Sequence, residues 1–171
     1  MRRKSSRTPA LGIAEFPCAC ATARRAARAV TQLYDSHLRA SEIEAPQFAL
    51  LSALNALAPC SQAAIGRRFA LDKTTLSRNL KLLKQRGWIE TAGAEDGRER
   101  RYVLSALGRR RLSAARPAWR RAQDQLRTSM TGKEWDVMWR TFRVITDAAH
   151  AAHSARNGGE RYAEGRRPPA P

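Results

Sequence analysis

Leu71-Asp72-Lys73-Thr74-Thr75-Leu76-Ser77-Arg78-Asn79-Leu80-Lys81-Leu82-Leu83, running on to Arg86-Gly87-Trp88-Ile89-Glu90, is the stretch on which the fold turns. Aspartate is a favoured helix N-cap, and glycine is favoured just past a helix end. Asp72 and Gly87 therefore bracket a helix from Lys73 to Arg86. Within it Leu76, Leu80 and Leu83 share one apolar face, which turns Lys73, Thr74, Thr75, Ser77, Arg78 and Lys81 outward. Trp88-Ile89-Glu90-Thr91 and Arg101-Tyr102-Val103-Leu104 read as two short strands around a polar tip, Ala94-Glu95-Asp96-Gly97-Arg98, and so as a β-hairpin.

Upstream of this stretch, Ser61 is placed to cap a short third helix that begins with Gln62 and ends at Phe69. Gly66 inside it costs about 1 kcal/mol relative to alanine. Pro46 suits the first turn of a second helix carrying Phe48, Leu50, Leu51, Leu54 and Leu57, which Pro59 stops. Before that, Ala23, Ala26, Ala27, Val30, Leu33, Tyr34 and Leu38 recur at helical spacing from Thr22 to Ala40. Helical period resumes at Ala106, with Pro117 as a kink or a break. A last helix opens where Thr131 and Glu134 form a capping box, and Trp135, Met138, Trp139, Phe142, Ile145 and Ala149 draw its apolar stripe. The predicted fold is mainly α with a short β-hairpin, a winged helix-turn-helix at about 45–105 flanked by long helices at about 20–40 and 106–155. Residues 1–17 read as a basic disordered arm and 156–171 as a disordered tail.

Charge names the class of partner. A net charge of +17 over 171 residues draws polyanions by counterion release whatever the fold. Arginine can take guanine bidentately, threonine offers a hydroxyl and a methyl, and lysine neutralises phosphate. The outward face of the Lys73 helix, with Ser61 and Gln62 ahead of it, is thus a candidate reading surface for double-stranded DNA. Arg98 at the hairpin tip, with Arg100 and Arg101 behind it, suits a narrow minor groove. A non-specific architectural or RNA-binding protein is the alternative, since its affinity would rest on the same charge, but the exposed sheet aromatics of RNA-binding sheets are missing. Glycine-rich phosphate loops, zinc-protease spacing and a nucleophile elbow are lacking, so no enzyme is predicted. Three cysteines suit a reducing compartment, and no apolar run reaches membrane length, so a soluble cytoplasmic protein with no membrane partner is expected.

The Leu71–Leu83 run, Arg86-Gly87-Trp88-Ile89-Glu90, Asp96-Gly97-Arg98 and Val103-Leu104-Ser105-Ala106-Leu107-Gly108 together resemble the MarR family of bacterial regulators. The likeness in helical layout extends from about Pro17 to His153. It implies a repressor that is a homodimer through its terminal helices, with two heads on a pseudo-palindromic operator. By the same resemblance, Thr74, Thr75, Ser77 and Arg78 read the major groove and Arg98 the minor groove. Asp96 is a structural partner of wing arginines, because a carboxylate beside phosphate would repel. The chain departs from the family where Ala64, Ile65 and Gly66 replace an acidic residue and leucine-alanine, so the capping box of the third helix is missing. Ser105 stands where threonine is commoner.

The resemblance also implies an effector, a small aromatic molecule or a thiol-reactive agent, with no required cofactor. Cys18 and Cys20, one residue apart at the start of the first long helix, are the candidates for redox or soft-metal sensing; the other reading is two small residues filling a helix start. Cys60, His150 and His153 read as incidental. Trp119, Trp135, Trp139 and Phe142 suit packing better than ligand stacking, and Tyr34 and His37 lie where an effector cleft would be.

Overall fold

A computed structural model of the chain describes residues 18–92 and 100–164, the stretch from 156 as backbone only. The predicted arm at 1–17, the wing residues Asp96 and Arg98, and residues 165–171 of the tail lie outside the described residues. The order of elements is α1 (Ala19–Leu38), a 3-10 turn (Arg39–Ser41), α2 (Ala45–Leu57), β1 (Cys60–Ser61), α3 (Gln62–Phe69), α4 (Lys73–Gln85), β2 (Ile89–Ala92), β3 (Arg101–Leu104), α5 (Ala106–Thr128) and α6 (Gly132–Glu164). This is a mainly helical winged helix-turn-helix with a small antiparallel sheet. The chain forms two compact units, one through Gln123 and one from Asp124.

In the first unit the start of α2 is set by two bonds. Asp35 Oδ1 accepts from the Ala45 N–H at 2.7 Å, and Glu44 and Gln47 form a reciprocal capping box, in which the Glu44 N–H donates to Gln47 Oε1 at 3.2 Å. Phe48, Leu50, Leu51 and Leu54 are then buried, and Phe48 stacks on Trp119 of α5 with centroids 5.6 Å apart. Ala115, Ala118 and Ala122 give α5 a small-residue buried face. The helix continues through Pro117, which lies on its exposed side. Tyr34 of α1 donates to Gln123 Oε1, and burial pushes its hydroxyl pKa up.

The sheet has order β1-β3-β2. The hairpin pairs Ile89 with Leu104 and Thr91 with Tyr102, while β1 adds Cys60 opposite Tyr102 and Ser61 opposite Arg101. The third strand changes the reading of Cys60, which is buried in the core.

The second unit holds the end of α5 and all of α6. The expected capping box forms: the Thr131 N–H donates to Glu134 Oε2 at 2.8 Å, and the Glu134 N–H to Thr131 Oγ1 at 3.2 Å. Trp135 and Trp139 meet edge to face, and Arg127 lies over Trp135. Val137, Trp139, Phe142, Val144 and Ile145 are all at least 45% exposed. The backbone of α6 stays helical to Glu164, across the first part of the stretch read from composition as a disordered tail. Once a helix is under way each added residue needs only propagation, so Gly158-Gly159 weaken it without ending it. Among the described residues no helix is long and apolar enough to cross a membrane.

Candidate nucleic-acid interface

The interface is built on α4. Asp72 holds its first turn: Oδ1 accepts from the Thr74 and Thr75 N–H groups, both at 2.9 Å, and Oδ2 accepts from the Thr75 hydroxyl at 2.6 Å. The hydroxyl bond, followed by the backbone N–H of the same residue, holds the Asp72 carboxyl below its ordinary pKa. Leu76, Leu80 and Leu83 are 2% exposed or less, which fixes the rotation of the helix. Lys73, Thr74, Thr75, Ser77, Arg78 and Lys81 are all exposed on the other side. The Thr75 proton is committed to Asp72, so this residue offers the outside its methyl and its oxygen lone pairs rather than a free O–H.

The far end of α4 is fixed as firmly. Gly87 adopts φ +68, the Gly87 N–H donates to Lys84 O and the Trp88 N–H to Leu83 O, both at 2.9 Å. These two bonds make a Schellman motif. Arg86 lies 4.9 Å over the Trp88 ring and donates to Gln47 Oε1 at 3.2 Å, which links this end of α4 to the start of α2.

Ser61 and Gln62 are half-buried. Ser61 Oγ accepts from the Ala64 N–H at 3.3 Å, so it serves as the cap of α3, with no acidic side chain returning the bond. Arg100 is exposed just before β3. Ser77 and Lys81 of α4 and Arg100 line one cleft between helix and hairpin, together with Lys84 and Thr91. Sequence reasoning missed the last two. The signal for Lys84 was its spacing of seven from Ser77 and three from Lys81 on one helical face, and Thr91 needed the strand register.

Cys18 and Cys20 are exposed free thiols, Cys18 as the extended N-cap residue of α1 and Cys20 in its first turn. Among the described residues no group of three or more histidine, cysteine or carboxylate side chains is placed to hold a metal ion.

A family model described as the MarR family matches residues 41–99. Among solved structures, the chain is similar to the transcriptional regulator MosR of M. tuberculosis in complex with DNA, at 34% identity, covering 79% of this chain and 98% of that one with a TM-score of 0.72. It is also similar to the PcaV transcriptional regulator of Streptomyces coelicolor in complex with its natural ligand, at 26% identity, with 83% and 99% covered and a TM-score of 0.71. A curated relative, the uncharacterized HTH-type transcriptional regulator YwoH of Bacillus subtilis, is 20% identical over 121 residues, which are 71% of this chain and 88% of that protein. With one relative at 34% identity matched along 98% of its length, and the family model lying over the helix-turn-helix itself, the chain belongs to the MarR family.

Proposed function

We propose that the chain is a sequence-specific transcriptional regulator of double-stranded DNA, acting as a homodimeric repressor on a pseudo-palindromic operator. The observation that carries this reading is the face of α4, where six hydroxyl-bearing or cationic side chains, Lys73, Thr74, Thr75, Ser77, Arg78 and Lys81, stand exposed over a buried leucine row. Both ends of the helix are held by local hydrogen bonds, so the face is presented rigidly. Thr74, Ser77 and Arg78 read base edges, and Lys73, Lys81 and Arg100 meet phosphates. Ser61 and Gln62 contact the backbone from the start of α3. Arg98 enters the minor groove, with Asp96 orienting the wing arginines. The likeness to a regulator described in complex with DNA supports the reading.

Two copies are favoured because the apolar residues of α6, and Ala23, Ala26 and Ala27 of α1, are exposed in the single chain. Apolar helix faces of this kind call for a partner, and a second copy supplies the same surface by twofold symmetry. Release by a small molecule is supported by the likeness to PcaV, described with its natural ligand. A coupling of about 1–3 kcal/mol between effector and DNA would suffice. Cys18 and Cys20 offer a second route, because a bridge between them would reshape the first turn of α1. Cys18→Ser with Cys20→Ser should then abolish operator release by oxidants or soft metals.

Competition tests the reading as a whole. A specific regulator holds its promoter fragment against a large excess of random duplex; a coating protein or an RNA binder gives it up.

A further inference from the structure

We infer that the cleft between α4 and the β2–β3 hairpin is the seat of one DNA backbone phosphate, with Lys84 and Thr91 as its donors. This rests on the DNA-binding reading and adds to it two residues in the part of the head where helix meets wing.

The cleft measures about 440 Å³ and is walled by Ser77, Lys81 and Lys84 on the helix and by Thr91 and Arg100 on the hairpin, with Tyr102 behind them. Ser77, Lys81 and Lys84 fall at i, i+4 and i+7, so the wall continues the face already assigned to DNA toward the C-terminal end of α4. Three cations line the cleft and, among the described residues, no carboxylate does. Glu90 lies one residue from Thr91 in the strand, and successive strand residues face opposite sides of a sheet.

Lys84 Nζ donates to Thr91 Oγ1 at 3.1 Å. A neutral partner leaves the ammonium its full charge and two further N–H donors, and leaves the Thr91 hydroxyl proton free to point outward. The pair is therefore a preordered set of donors without an anion of its own. With a helix in the major groove and a hairpin in the adjoining minor groove, the phosphodiester strand that separates the two grooves must pass between them. Its non-bridging oxygens are acceptors of the right charge for this cleft. Lys84 also sits in the last turn of α4, where a cation favours the carbonyl end of the helix. That role alone would need no hydroxyl partner on the hairpin and would leave DNA binding untouched.

The assigned role is positioning, since a phosphate contact carries no base information. The test measures binding of the full-length dimer to a duplex recovered by selection and to a random duplex, over a range of salt. Lys84→Ala should weaken both by the same factor and reduce the slope of log affinity against log salt by about 1. Lys84→Arg should restore the slope, and Thr91→Val should give a smaller parallel loss on both duplexes. Equal melting temperatures for the variants show that the head is intact. An unchanged slope in Lys84→Ala, or a loss confined to the selected duplex, overturns the phosphate seat while leaving the DNA-binding reading in place. Wild-type protein that binds neither duplex overturns that reading, and the seat with it.

Discussion

Gly108 lies against Trp88 so closely that a Cβ at position 108 would stand 1.9 Å from the Trp88 carbonyl oxygen. The contact joins the first turn of α5 to the residue that follows the recognition helix. Ser105 reinforces it: its N–H donates to Trp88 O at 3.1 Å, its hydroxyl donates to Gly87 O at 2.6 Å and accepts from the Gly108 N–H at 2.9 Å. The serine is thus the N-cap of α5 and the anchor of the α4 C-terminus at once, which gives the Leu104-Ser105 and Gly108 spacing a physical meaning.

The atom that a Gly108→Ala side chain would meet belongs to the backbone, and a backbone carbonyl cannot rotate away. The substitution is expected to destabilise the protein by about 3 kcal/mol, read by urea or thermal unfolding. Ser105→Ala, which removes one cap bond and leaves the Gly87 carbonyl without its hydroxyl donor, should cost about 1–3 kcal/mol, with Ser105→Thr recovering most of it.

Gly66 predicts the opposite sign. A Cβ there meets only Leu76 Cδ2 at 3.4 Å and Leu71 O at 3.5 Å, which is ordinary contact. Gly66→Ala should therefore stabilise the protein by about 0.5–1 kcal/mol through helix propensity. An unchanged or lowered melting temperature would show that α3 has less room than these distances give it.

Acid should act on the recognition helix through Asp72. Its folded-state pKa is depressed by the Thr75 hydroxyl and N–H bonds. The stabilisation it gives is then fully present above the ordinary aspartate value, about 3.9, and is lost as the pH falls through the lower folded-state value. Asp72→Asn keeps a capping oxygen but has no charge to lose. The difference in melting temperature between wild type and Asp72→Asn should shrink on acidification, whereas a constant difference would contradict the assignment.

Charge placed on α6 tests the dimer. Phe142 and Ile145 are 45% and 49% exposed in the single chain, so Phe142→Glu with Ile145→Glu should leave a folded protein that sediments as a monomer and loses operator affinity. A double variant that remains dimeric would move the interface elsewhere.

The recognition helix was legible in the sequence because its signals are local. Asp72, the leucine row and Gly87 each act within one or two turns, and the model places all three as expected. The Thr131–Glu134 box was legible for the same reason. The strand β1 was not: Cys60-Ser61 has no period of its own and becomes a strand only because β3 offers it an edge. The Glu44–Gln47 box also escaped notice, since Pro46 alone had accounted for that helix start. Gly108 stood in a recognisable motif, but the reason for it lies twenty residues back at Trp88, beyond any periodic pattern. On the interface, spacing alone placed the six outward side chains of α4; the capture of the Thr75 hydroxyl by Asp72 and the pairing of Lys84 with Thr91 required the fold.

Selection of bound duplexes from random DNA bears most directly on the central claim, that two copies of α4 read base edges from one operator. The expected result is an inverted repeat whose half-site centres lie about one helical turn apart, with discrimination of about 1–3 kcal/mol lost in Arg78→Ala at one position of each half-site. Recovery of sequences with no shared element, or of a single half-site without its twofold mate, would contradict it.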